Sequence, residues 1–89
     1  MKFTIIGDWY SVPDLADTFA VVAEGENYEE AKGDAARAVL GAFPHRAEEP
    51  YCETPETLWG GDNGAYVVAA FLGDLCDQVV EGADFTLIA

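Results

Sequence analysis

The chain has 89 residues, enough for one small domain, and 51% of them are hydrophobic, which excludes global disorder. Seventeen acids oppose four bases, for a formal net charge of −13. That lies well beyond the magnitude of about 2–8 that keeps a small domain soluble, and it disfavours direct binding to nucleic acid or to anionic membranes.

The first predicted element is a strand. Residues 2–7, KFTIIG, alternate and carry β-branched side chains. SVPDLAD, with Pro13 and two aspartates, reads as a loop. DTFAVVAEG restores a β pattern over about residues 18–24, and the two strands are close enough in sequence to pair antiparallel.

A helix follows. Asn27 is placed to cap it, with Glu30 three residues on. Tyr28, Ala31, Ala35, Ala38, Val39, Ala42 and Phe43 recur on one face, and Pro44 ends the element. Residues 44–63 have no period, three prolines and two glycines. A connection this long is often functional, and Tyr51, Leu58 and Trp59 predict that part of it packs.

AYVVAAFLGDLCDQVVEG reads two ways. As a helix it has Asp62 or Asn63 as cap, Gly82 as its stop, and favourable spacing of Leu72, Leu75, Cys76, Val79 and Val80. As a strand, AYVVAAFL ends in a turn at Gly73 and Asp74. The spacing favours the helix, while Gly73 and the paired valines count against it. DFTLIA closes the chain as a strand. The prediction is therefore a single two-layer α+β domain: an antiparallel sheet of three to four strands with one or two helices on one face. The favoured order is β-β-α-α-β and the alternative β-β-α-β-β.

No residue set for catalysis emerges. The single histidine, His45, sits in a Pro-flanked loop, and no nucleophile elbow or phosphate cradle is present. His45, Cys52 and Cys76 lack paired ligand spacing, and GGDNG lacks the ligands of a calcium loop, so neither a metal nor a cofactor is expected. The opening MKFTIIGDWY lacks a secretory pattern and the longest apolar run is too short to span a bilayer, which predicts a cytoplasmic protein with free thiols.

The acids are the remaining signal. Glu26, Glu30 and Asp34 fall at i, i+4 and i+8, with Glu29 beside them. Like charges at that spacing cost a few tenths of a kcal/mol per pair, and the helix dipole rewards only those in the first turn. Glu48, Glu49, Glu53 and Glu56 follow in the loop, interleaved with Tyr51 and Trp59. A solvated surface explains such a pattern. So does a surface for cationic side chains, because carboxylates pair with Arg and Lys while aromatic faces stack on guanidinium groups. These ten residues are the candidate partner-binding set.

Two resemblances accompany these segments. TFAVVAEGENYEEAKGDAARAVL resembles the strand-then-helix segment of HicB-like antitoxin domains over about a quarter of the chain, a pattern that assigns no functional residue. With ENYEEAKGD and EEPYCETPE, the chain also resembles the small acidic inhibitors of phages and mobile elements, among them anti-CRISPR and anti-restriction proteins that imitate DNA with carboxylates. That resemblance implies a non-enzymatic inhibitor of a nucleic-acid-binding effector, docked on its basic surface. The alternative from another class is a small structural or assembly module of phage or bacterial origin, a homodimer or larger oligomer built on AYVVAAFL.

Overall fold

The computed structural model describes residues 1–10, 18–49, 52–60, 64–75 and 86–88. In chain order these form β1 (Lys2–Trp9), β2 (Phe19–Glu24), α1 (Tyr28–Ala42), a short 3-10 helix (Pro44–Ala47), β3 (Ala65–Leu72) and β4 (Thr86–Ile88). The strands make one sheet in the order β3-β1-β2-β4. β1 pairs antiparallel with both β2 and β3, and β4 pairs parallel with β2. The fold is α+β, and among the described residues α1 packs on the sheet, chiefly over β2.

Two expectations need correction. Residues 65–72 are strand and not helix, so the observed order is the alternative β-β-α-β-β. The Leu, Cys and Val spacing that favoured a helix was carried mostly by Cys76, Val79 and Val80, which lie outside the described residues, as do Asp62, Asn63 and Gly82. Within AYVVAAFL itself the β-branched and aromatic residues dominate. Gly73, at φ 99, turns the chain out of the strand as only glycine does readily. The sheet is also mixed: the last strand lies beside β2 and runs parallel to it, at the edge opposite β3. The predicted loop at 11–17 lies outside the described residues.

Alternation along β1 and β2 sends Ile5, Trp9, Phe19, Val21 and Ala23 toward α1, where Ala31, Ala35, Ala36, Val39 and Leu40 close the core. Alanines on the helix let it approach the sheet closely, and the bulk is supplied by a cluster of rings. Trp9 packs edge-on against Phe19 and Phe43, each at 5.6 Å between centroids. The helix starts as expected, with Asn27 Oδ1 accepting from the Glu30 N–H at 3.0 Å. It ends at Ala42, and Pro44 opens the 3-10 helix.

The long connection is largely built structure. Cys52, at φ 51, turns the chain so that the Glu53 N–H reaches the Arg46 carbonyl at 2.9 Å. Leu58 is buried, and Ala65 pairs with the 58–60 turn on both backbone groups. One residue of β3, Val68, is inserted opposite the Ile6–Gly7 step as a bulge.

Candidate acidic interaction surface

The four bases are mostly turned to structural work. Arg46 is buried, with its guanidinium 4.2 Å from the centre of the Trp9 ring. Lys32 Nζ lies 5.5 Å from the Tyr28 ring centre and 5.9 Å from that of Trp59. Arg37 meets Asp34 at 3.6 Å, an exposed i,i+3 pair of small energetic value. Lys2 is exposed at the start of β1.

The predicted acids divide by role. Glu26, Glu29, Glu30, Glu48, Glu49 and Glu56 are exposed. Among the described residues the Arg37–Asp34 pair is the one salt bridge, so none of these six carboxylates has a base within ion-pair distance there. Asp34 does a different job: its Oδ2 accepts from the Glu24 N–H at 3.0 Å, tying the end of β2 to the helix. Glu53 is buried and accepts from Thr57 Oγ1 at 2.7 Å, so it braces the loop. Trp59 donates Nε1–H to the Lys32 carbonyl at 2.9 Å and packs on Phe19, pinning the returning loop against α1. Tyr51 lies outside the described residues.

The geometry separates the exposed acids into groups. Glu26, Glu29 and Glu30 sit at the N-terminal end of α1, where the dipole favours them. Glu48 and Glu49 follow the 3-10 helix beyond its other end. The 15 residues of α1 set these ends about 22 Å apart at ~1.5 Å per residue. The loop then runs back toward Lys32, carrying Glu56 on the Thr54–Thr57 turn. The exposed acids are therefore spread between the two ends of the helix and the following loop rather than converging on a point. Among the described residues no three His, Cys, Asp or Glu side chains converge as metal ligands would.

One concave feature was not expected from the sequence. Tyr10, Tyr28, Lys32, Trp59, Tyr66 and Val67 line an open cleft of about 260 Å³. Tyr10 and Tyr66 meet at a tilt on its rim, with ring centres 4.9 Å apart. Burial, and secondarily the Glu29 carboxylate, raises the Tyr28 phenol above its ordinary pKa of 10.0. These rings come from β1, α1, the loop and β3, so no local pattern announces the cleft. The tyrosine at the start of α1 and the aromatic just past β1 were its only traces.

No protein-family model, curated protein or solved structure matches the chain. Among the described residues no helix is long and apolar enough to cross a membrane.

Proposed function

We propose that the protein is a non-enzymatic inhibitor or regulator that binds a basic surface of a nucleic-acid-binding effector, imitating the charge of nucleic acid as anti-CRISPR proteins of the DNA-mimic kind do. The observation that carries this reading is the division of charge. Six acids stand exposed along α1 and its following loop, while Arg46 and Lys32 are held against rings and Arg37 against Asp34. Self-repulsion of this size works against the compact state, and a cationic groove relieves it on binding. DNA presents one charge per ~1.7 Å of axis, and proteins that bind it carry Lys/Arg grooves suited to an extended row of anions rather than to a single carboxylate. Steering by such a surface gives fast association that slows with salt.

The test is affinity capture on the immobilised protein, followed by binding titrations of each recovered protein across NaCl concentrations and against competing duplex DNA. The reading expects a basic nucleic-acid-binding protein, displaced by DNA, whose affinity falls steeply with salt. Reversing Glu29 and Glu30, or Glu48 and Glu49, to lysine should lower that affinity while leaving the circular dichroism spectrum unchanged. Binding indifferent to salt, to DNA and to both reversals would end the proposal.

A further inference from the structure

Among the described residues β3 is an edge strand, and its own sequence carries none of the usual protections. Edge strands are commonly blunted by charge, proline or brevity, because their open backbone groups template further pairing. β3 has eight residues with neither charge nor proline. Tyr66, Val68, Phe71 and Leu72 are 37%, 59%, 45% and 66% exposed. This exposed apolar surface is divided between the two sides of the sheet, with Tyr66 and Phe71 on one and Leu72 on the other. The rest of the chain is crowded with acids, yet none falls between Gly64 and Gly73.

The backbone directions define what could pair there. Ala65 points both its groups away from β1, onto the 58–60 turn, and Gly73 N–H donates to the Lys2 carbonyl on β1. Counting alternation inward from these two ends, across the bulge at Val68, leaves Val67, Ala70 and Leu72 facing outward. Among the described residues nothing pairs with them. In the register with β1, Val67 and Ala70 share the helix side of the sheet, opposite Gly7 and Ile5. Tyr66 and Phe71 share the other side, opposite Asp8 and Thr4.

We infer that this edge pairs antiparallel with β3 of a second copy of the chain, about a two-fold axis between Val68 and Ala69. In that register Val67 meets Ala70 of the second copy, each pair exchanging both of its backbone hydrogen bonds. Tyr66 meets Phe71 of the second copy on the far side, and the pairing ends there, because the 58–60 turn already holds the outward groups of Ala65. Hydrogen-bonding direction, side of the sheet and apolar character agree at these pairs, and the two-fold satisfies each twice, as an isologous contact requires. The charge pattern selects this occupant. A basic partner would find no carboxylate on the strand, whereas an uncharged edge faces an identical uncharged edge. The inference does not depend on the function proposed above.

The test uses the full chain with no partner added: light scattering behind size exclusion, and analytical ultracentrifugation, from micromolar to millimolar concentration, with amide hydrogen exchange at Val67 and Ala70. The expected result is a monomer–dimer equilibrium in which both amides gain protection as concentration rises. Ala70→Pro removes an outward N–H and spares the β1 ladder, so it should raise the dimer Kd about tenfold or more while the fold persists. Phe71→Lys should do the same through the lost Tyr66 pair. A wild-type chain that stays monomeric with unprotected Val67 and Ala70 amides would overturn the inference. So would a dimer unmoved by both substitutions, or an edge protected only when a different protein is added.

Discussion

Gly7 sits where β1 passes closest to the buried ring of Phe19. A Cβ added at Gly7 would lie 2.5 Å from Cζ and 2.7 Å from Cε1 of Phe19, and 3.1 Å from the Tyr66 carbonyl oxygen. Carbon atoms prefer roughly 3.5–4.0 Å, so the ring must retreat by about 1 Å. It has little room to do so. Phe19 is fully buried, and its ring centroid lies 5.6 Å from that of Trp9 and 6.2 Å from those of Phe43 and Trp59. The backbone is also held, since Gly7 pairs with Phe19 on one side and Val67 on the other. Overpacking of this kind costs about 1–3 kcal/mol, and the reduced backbone entropy of alanine returns roughly 0.5–1 of it. Gly7→Ala should therefore destabilise by about 1–2 kcal/mol, a fall of roughly 5–15 °C in Tm for a domain of this size. The assay is urea denaturation followed by circular dichroism, with Phe19→Leu as the second arm of a double-mutant cycle. Leucine vacates the space, so in that background Gly7→Ala should cost under about 0.5 kcal/mol. If Gly7→Ala costs nothing in the wild type, or the same in both backgrounds, the close approach of β1 to Phe19 is wrong.

The carboxylates should separate by role. Asp34→Asn should lower stability by about 1 kcal/mol through its weakened bond to the Glu24 N–H, while Glu49→Gln should be within about 0.5 kcal/mol of neutral; equal effects in urea melts would refute the division. Raising NaCl from 0.05 to 1 M should raise Tm by screening the uncompensated acids, and a steady fall would show that they are locally neutralised. Tyr28 sets an alkaline limit. Its folded pKa is raised, so its contribution is fully present below about pH 10 and is lost as pH climbs through the folded value, where the unfolded chain has already released the proton. Tyr28→Phe should flatten that loss in thermal melts between pH 9 and 11, and should remove a late-ionising phenol from the absorbance titration.

What could be read from the sequence was whatever local chemistry decides. β1 and β2 show themselves by short runs of β-branched and aromatic residues, although burial on both faces at Thr4–Ile5 and Phe19–Val21 blurs their alternation, and α1 carries its own start in Asn27 and its own stop in Pro44. AYVVAAFL defeated the reading for a physical reason: an edge strand exposed on much of its surface and apolar throughout has no alternation to display, so its period could not separate strand from helix. The parallel placement of β4 depends on where a three-residue strand docks, which composition does not encode. The surface acids were countable in advance, but not their sorting. Asp34 and Glu53 are drawn into structure by the Glu24 N–H and by Thr57, and Trp59 by the Lys32 carbonyl, partners ten, four and twenty-seven residues away.

The acidic flank and the apolar edge occupy different parts of the molecule, and their relation follows from the strand order. α1 lies chiefly over β2, while β3 is two strands away at the sheet's edge. Antiparallel pairing of two β3 edges uses an axis perpendicular to the sheet, so both helices would lie on the same face of one continuous sheet. β2 of one copy would then be five strand spacings from β2 of the other, about 24 Å at ~4.8 Å each. That is about three Debye lengths at physiological ionic strength, so the two acidic flanks would scarcely oppose dimerisation. Each copy would instead keep its exposed acids around the two ends of its own α1. Pairing through this charge-free edge would therefore add a second copy without bringing the exposed acids of the two helices together.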